Sequence, residues 1–150
     1  MRAILQRVRS ASVLSDGVLT GEIARGLMIL LGVEVGDTRE ELEWLVRKVA
    51  GMRLFSDAEG RMNLDLAAVG GRCLVVSQFT LLASSKKGNR PSYTRSAKPE
   101  EAVPLYEAFV SRLAEETGTV VETGVFGADM QVSLVNDGPV TVVVDTRWRE

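Results

Sequence analysis

The sequence contains no histidine and a single cysteine, Cys73, among its 150 residues. An internal disulfide is thereby excluded. So is every scheme that needs imidazole: Ser-His-Asp or Cys-His nucleophile pairs, zinc on Cys/His clusters, and histidine as acid or base. No run approaches the roughly 18 consecutive apolar residues of a membrane span. The first residues, Met1-Arg2-Ala3-Ile4-Leu5-Gln6-Arg7-Val8, enter an alternating pattern without the basic, apolar and small-residue regions of a secretion signal, so the expected location is the cytoplasm. An excess of one charge is missing too. Eighteen Lys and Arg stand against 20 Asp and Glu, a net charge of −2, which leaves only local patches for a polyanion. Catalysis, if present, has to come from hydroxyls, carboxylates, backbone amides or the substrate itself, and no metal or other cofactor is expected.

What is there is a composition suited to a folded domain, 45% hydrophobic and 25% charged, with no linker, internal repeat or low-complexity tract, so residues 1–150 are expected to form one domain. Residues 2–9 alternate like a half-buried strand, with either Ile4 and Val8 or Ala3, Leu5 and Arg7 turned inward. Ser15-Asp16-Gly17 signals a turn into a second strand near 18–23, and the apolar run 27–33 suits a strand buried on both faces. Thr38-Arg39-Glu40-Glu41 has the form of a capping box, and Leu42, Leu45, Val46 and Val49 follow as one apolar helical stripe. Residues 72–82 read as one core strand and 83–98 as a long polar connection. A second helix covers roughly 100–117, with regular geometry expected only from Val103 or Pro104 because proline cannot donate to residue 100. Residues 120–125, 130–135 and 140–146 read as three further strands. Two helices among seven or eight strands do not form a regular βαβ repeat. The count predicts an α+β fold: a mixed or antiparallel, partly barrel-like sheet with two main helices packed on it.

Three segments carry possible chemistry. Ser77-Gln78-Phe79-Thr80 ends a strand with hydroxyls and amides that either finish the strand or bind a carbonyl and its oxyanion; one such donor is worth about 2.7–4 kcal/mol in a transition state. Thr80 is a poor nucleophile here, since no base is available to deprotonate it. Asn136-Asp137-Gly138-Pro139 reads either as a hairpin turn or as a rigid loop with a cis Gly–Pro bond that would fix two carbonyls in an unusual orientation. Lys86-Lys87-Gly88-Asn89-Arg90-Pro91-Ser92-Tyr93-Thr94-Arg95 is either a solvated loop or a mixture of cations and stacking groups suited to RNA.

Ser77-Gln78-Phe79-Thr80-Leu81 and Asn136-Asp137-Gly138-Pro139-Val140-Thr141 resemble the two signature motifs of the bacterial and eukaryotic type of D-aminoacyl-tRNA deacylase. Gln6-Arg7-Val8, Phe55-Ser56-Asp57, Met62-Asn63-Leu64, Gly88-Asn89-Arg90-Pro91-Ser92 and Gly124-Val125-Phe126-Gly127-Ala128-Asp129-Met130 extend the likeness from residue 1 to about 146. The resemblance implies a homodimer with active sites at its interface. The implied reaction cleaves the ester joining a D-amino acid, or glycine mischarged on alanine tRNA, to the terminal adenosine. It implies that Ser77, Gln78, Phe79 and Thr80 line the pocket mainly as backbone donors, and that Gly138 and Pro139 select chirality from the partner subunit. Arg7, Phe126, Met130, Asn136, Arg90, Pro91 and Ser92 would then contact substrate. The terminal 2′-hydroxyl of the tRNA would replace a protein base. Asn89 stands where the family usually has methionine, and Tyr93 where phenylalanine is common. The competing reading is a non-catalytic RNA- or nucleotide-binding dimeric module, supported by the basic loop alone.

Overall fold

The structure, a computed structural model, describes residues 1–149. The chain starts as a 14-residue strand, β1 (Arg2–Ser15), longer than the alternation over 2–9 predicts. Asp16 and Gly17 then take positive φ values of 48° and 80°, the pair of left-handed conformations that a tight hairpin requires. The returning chain, β2 (Val18–Ile23) and β3 (Gly26–Gly32), lies antiparallel along one edge of β1: β2 against its second half and β3 against its first. The other edge of β1 is covered by β8 (Met130–Asp145).

From β3 the sheet continues in parallel through β6 (Arg72–Ser77) to β7 (Val121–Thr123). Each parallel step needs a crossover, and these contain the two helices, α1 (Arg39–Gly51) and α2 (Pro99–Thr117); a small hairpin of β4 (Phe55–Ser56) and β5 (Met62–Leu64) follows α1. β7 comes round toward β2. A methyl group on Gly21 would stand 2.8 Å from the Thr123 carbonyl oxygen, so glycine there permits the approach that nearly closes the sheet into a barrel. The mixed, barrel-like sheet with two packed helices agrees with the α+β expectation.

Both faces of the middle strands are covered. Leu27, Ile29 and Leu31 of β3 and Cys73 and Val75 of β6 pack with Leu42, Leu45 and Val46 of α1 and with Phe109 and Leu113 of α2. Met28, Leu74 and Val76 point the other way, against Val8, Ala11, Val13 and Ile23. Strands buried on both sides read as unbroken apolar runs, which is why 27–33 shows no alternation. Among the described residues, no helix is long and apolar enough to cross a membrane.

α1 begins as its sequence predicts. The Thr38 hydroxyl accepts from the Glu40 amide at 3.2 Å, and the Glu41 carboxylate accepts from the Thr38 amide at 2.9 Å, completing the capping box. Hydrogen bonding to Thr38 holds the Glu41 carboxyl below the usual carboxylate range. A carboxyl with a depressed folded-state pKa stabilises above its unfolded value and loses that contribution as pH falls through the folded value. Thr38→Ala is therefore expected to cost about 1 kcal/mol at neutral pH, with the deficit shrinking in acid; urea unfolding across a pH series measures both.

Three further boundaries differ from the sequence reading. The expected strand 72–82 stops at Ser77, where pairing with β3 ends at Leu31. The chain then turns at Gln78 into a single 3-10 turn, Phe79–Leu82, tied back by the Gln78 amide donating to the Leu31 carbonyl at 2.8 Å. α2 starts at Pro99 rather than near Val103. Pro104 lies inside it, and the hydrogen bond it cannot make would have gone to Glu100, exposed like Pro104 itself. Residues 130–145 form one strand instead of two. On either side of the 136–139 segment β8 stays paired to β1, with Asn136 opposite Val8 and Thr141 opposite Gln6. The intervening residues bulge outward instead of reversing the chain, so the hairpin-turn reading is overturned.

Candidate active site

A cleft of about 280 Å³ opens beyond the C-terminal ends of the parallel strands β3 and β6. Open sheets with crossover helices characteristically hold ligands there, because the chain departs from the strand ends and leaves a crevice. Leu31 and Val33 form one wall, and Ser77, Gln78 and Phe79 form the rim. Phe126, Gly127 and Ala128, together with Met130 and Val132 of β8, form the opposite side, with Ala102 and Tyr106 of α2 below. Of the residues singled out from sequence, Ser77, Gln78, Phe79, Phe126 and Met130 therefore meet in one cavity, and Thr80 follows directly on its rim.

The rim is shaped by the 3-10 turn. The first amides of any helical turn have no acceptor within it, which leaves those of Phe79 and Thr80 without a partner inside the turn. The Gln78 side-chain amide donates to the Thr80 hydroxyl oxygen, and the Ser96 hydroxyl donates to the Phe79 carbonyl at 3.0 Å. Phe79 stays 56% exposed and meets Tyr93 edge-on at 5.1 Å. On the far side Phe126 meets Tyr106 edge-on at 5.8 Å.

Tyr106 was not among the residues singled out for chemistry, since its helical spacing marks it only as core. It is the one titratable side chain lining the cleft. Its hydroxyl donates to the Val75 carbonyl at 2.9 Å, and burial pushes its pKa up to about 12. At neutral pH it holds its proton and is no general base. Among the described residues, the cleft of one chain thus offers apolar walls, a hydroxyl-and-amide rim and no ionised group.

A second group of residues gathers elsewhere. The Gly138–Pro139 peptide is cis, and both residues are exposed on the outward bulge of β8. Asn136 closes the bulge: its side-chain carbonyl accepts from the Val140 amide at 2.7 Å and its amide donates to the Val140 carbonyl at 3.2 Å. Arg7 props it from below. Its Nε donates to the Asp137 carbonyl at 2.8 Å and its Nη1 to the Leu54 carbonyl at 2.6 Å. Arg7, Asn136, Gly138 and Pro139 are thus brought together, but none of them lines the cleft of their own chain. Arg90, Pro91 and Ser92 are exposed on a third feature, a loop closed where Ser84 and Ser92 exchange backbone hydrogen bonds of 2.8 and 2.9 Å.

Comparison with known proteins identifies the family. Residues 4–145 match the family model described as D-Tyr-tRNA(Tyr) deacylase. A D-aminoacyl-tRNA deacylase of Akkermansia muciniphila is 57% identical over 150 residues, covering the whole of both chains, and one of Opitutus terrae is 56% identical over the same span. A solved structure described as a c-Myc DNA unwinding element binding protein superposes with a TM-score of 0.90 at 38% identity, covering 97% of this chain and 98% of that one. A second, described as a probable eukaryotic D-amino acid tRNA deacylase, has a TM-score of 0.82 over 95% of this chain and 97% of its own; at 18% identity it speaks for the fold alone. The chain belongs to the D-Tyr-tRNA(Tyr) deacylase family.

Proposed function

We propose that this chain hydrolyses the ester of D-aminoacyl-tRNA by main-chain positioning, with the substrate's own terminal 2′-hydroxyl in place of a protein base. The observation that carries the mechanism is the cleft's lack of any group able to take a proton at neutral pH, Tyr106 being locked as a hydrogen-bond donor. Family membership supplies the reaction. The aminoacyl end lies against the Ser77–Thr80 rim, where the Phe79 and Thr80 amides donate to the ester carbonyl and gain strength as it becomes an oxyanion. Phe126 and Met130 hold the adenine. The 2′-hydroxyl is covalently fixed beside the ester, so its proximity needs no further ordering. The substrate in this reading is tRNA in the cytoplasm.

Chirality is read by the second group of residues. Gly138 and Pro139 are exposed and lie outside the lining of their own cleft, and β8 pairs among the described residues with β1 alone, with Val135 and Val143 exposed on it. Both features support a homodimer in which each bulge enters the partner's cleft. There the Gly138 and Pro139 carbonyls leave room for a D side chain and collide with an L one. Rejection by a rigid wall needs no side-chain recognition, so one site accepts many D-amino acids. Arg7 and Asn136 act in this scheme by holding the bulge.

Matched D- and L-aminoacyl-tRNAs test the reading directly: the D ester is cleaved and the L ester spared. Tight binding with no turnover of either would sink it. Thr80→Ala is expected to retain activity within about tenfold of wild type, because the backbone amide survives and the hydroxyl already accepts from Gln78. A loss of the size seen on removing a nucleophile, about 10⁴-fold or more with the fold intact, would assign the attack to Thr80 itself.

A further inference from the structure

The charge of the chain is distributed very unevenly. Between Asp65 and Glu100 there is no carboxylate, yet the same stretch carries Arg72, Lys86, Lys87, Arg90, Arg95 and Lys98. It contains both the Ser77–Thr80 rim and the loop beside it. Arg72 begins β6, at the far end from the cleft, and Arg95 is paired with Glu34, so the positive charge left without an acidic partner beside the rim, among the described residues, is that of Lys86, Lys87 and Arg90 on the loop.

The loop is held in place there. Backbone hydrogen bonds between Ser84 and Ser92 close its base, Tyr93 rests edge-on against Phe79, and Ser96 bonds the Phe79 carbonyl. Its far end is stapled to the sheet, where the Arg95 Nε donates to Glu34 Oε1 at 2.9 Å and the Val35 amide donates to the Arg95 carbonyl at 2.9 Å. Arg95 is thus spent on structure. Lys86 and Lys87 are not: both are exposed at the tip, next to Gly88 with a φ of 77°, and neither forms an ion pair among the described residues. Long cationic side chains kept free of acidic partners, on an anchored loop at a cleft mouth, suit a polyanion that enters the cleft end first.

We infer that Lys86 and Lys87 form a phosphate-binding arm that grips the single-stranded 3′ end of the tRNA upstream of the terminal adenosine. The inference rests on the reading of the cleft as the seat of the aminoacyl-adenosine end. It adds that affinity for the rest of the strand is supplied electrostatically and without base recognition by these two residues. Such a contact gives the enzyme one grip for all tRNAs, since phosphates carry no sequence information.

The test compares D-aminoacyl-tRNA with D-aminoacyl-adenosine, which has the ester and the 2′-hydroxyl but no upstream phosphates, for wild type, Lys86→Ala/Lys87→Ala and Lys86→Arg/Lys87→Arg. On tRNA the log of kcat/KM falls with log salt. Losing two phosphate contacts on a single strand makes that slope shallower by about 1.4, so wild type loses about sevenfold more rate than the alanine variant between roughly 50 and 200 mM salt. On D-aminoacyl-adenosine the wild type and the alanine variant are expected to coincide at every salt, and the arginine variant to restore the wild-type slope on tRNA. An unchanged slope in the alanine variant, or an equal loss on both substrates, overturns the inference while leaving the deacylase reading intact. A wild type that cleaves neither substrate overturns the deacylase reading instead. Fluorescence anisotropy on uncharged tRNA, with the same variants and salts, still decides whether the two lysines hold phosphate.

Discussion

A D-aminoacyl-tRNA that ends in 2′-deoxyadenosine is expected to bind this enzyme normally and to be cleaved about 10²–10⁴-fold more slowly than the ribose form, the range over which a positioned proton-transfer group contributes. The expectation follows from what lines the cleft. Its walls are Leu, Val, Ala, Phe and Met; its rim carries Ser77, Gln78 and Phe79; and its one titratable group, Tyr106, is buried, bonded to the Val75 carbonyl and raised to about pKa 12. Ester hydrolysis still needs a proton to leave the attacking oxygen and another to reach the departing 3′ oxygen. With no histidine in the chain and no carboxylate among the described residues lining the cleft of one chain, the proposed mechanism gives this proton transfer to the neighbouring 2′-hydroxyl. Oxyanion stabilisation by the rim survives the substitution, so the residual rate should remain above that of free ester. Single-turnover hydrolysis of matched ribose and deoxyribose substrates at saturating enzyme separates binding from chemistry. Equal rates on the two would move the proton transfer onto a protein group and remove the substrate-assisted mechanism.

How much of this was legible beforehand depends on whether local pattern or distant pairing decides each element. α1 is written in four consecutive residues, because a capping box satisfies its own amides locally and needs nothing from the rest of the fold. The doubly buried β3 shows in an unbroken apolar run. The end of β6 does not show. Val76 through Leu82 reads as one apolar stretch with polar interruptions, and the change of direction at Ser77 is imposed by β3 running out of partners. The unity of β8 is likewise hidden. Asn-Asp-Gly-Pro reads as a reversal by composition, yet the strand resumes because Asn136 supplies the Val140 groups with hydrogen bonds from its side chain while β1 waits on the other side. β1 itself changes phase at Arg9, the extra residue between Val8 opposite Asn136 and Ser10 opposite Val135. Val8 shares a face with Ala11 and Val13 although Ala11 lies three positions on from Val8, and a two-residue alternation conceals such a slip.

The site divides in the same way. The Ser77–Phe79 segment is far in sequence from Phe126 and Met130 and only the fold brings them to one cavity, so composition alone leaves them as strand ends and packing. Tyr106 has no sequence signal beyond a helical stripe, and its role as a silenced titratable group emerges only from its burial. Arg7 illustrates the opposite case. The resemblance alone implies that it contacts substrate, and the structure shows its guanidinium donating to two main-chain carbonyls of its own chain. In the proposed scheme its contribution to selectivity runs through the bulge it supports.

Gly138→Ala is expected to lower the D-over-L rate ratio by about 10–100-fold, since misplacing a positioning group by about 1 Å can cost 10²-fold. Gly138 has φ of 148°, a conformation that L residues rarely adopt and that carries a penalty of about 1–3 kcal/mol for them. Space is also lacking. An added methyl would stand 2.8 Å from Val140 Cγ2, 2.9 Å from the Val140 amide nitrogen and 3.3 Å from Arg7 Nη2. None of these neighbours yields cheaply: the Val140 amide is clamped by Asn136 at 2.7 Å, and Arg7 is fixed by the Asp137 and Leu54 carbonyls. The bulge itself must therefore move, and with it the carbonyls proposed to sort handedness, while neither Gly138 nor any of these neighbours lines the cleft with the Ser77–Phe79 rim of the same chain. Gly17→Ala is the matched control. It forces alanine into φ of 80° at the β1–β2 turn, with nothing within 4 Å of the new methyl, so it should reduce stability without changing the ratio. Rates on D- and L-aminoacyl-tRNA, with thermal melts of both variants, distinguish a displaced gate from general destabilisation. A Gly138→Ala protein that folds and keeps the wild-type ratio would take chiral selection away from this bulge.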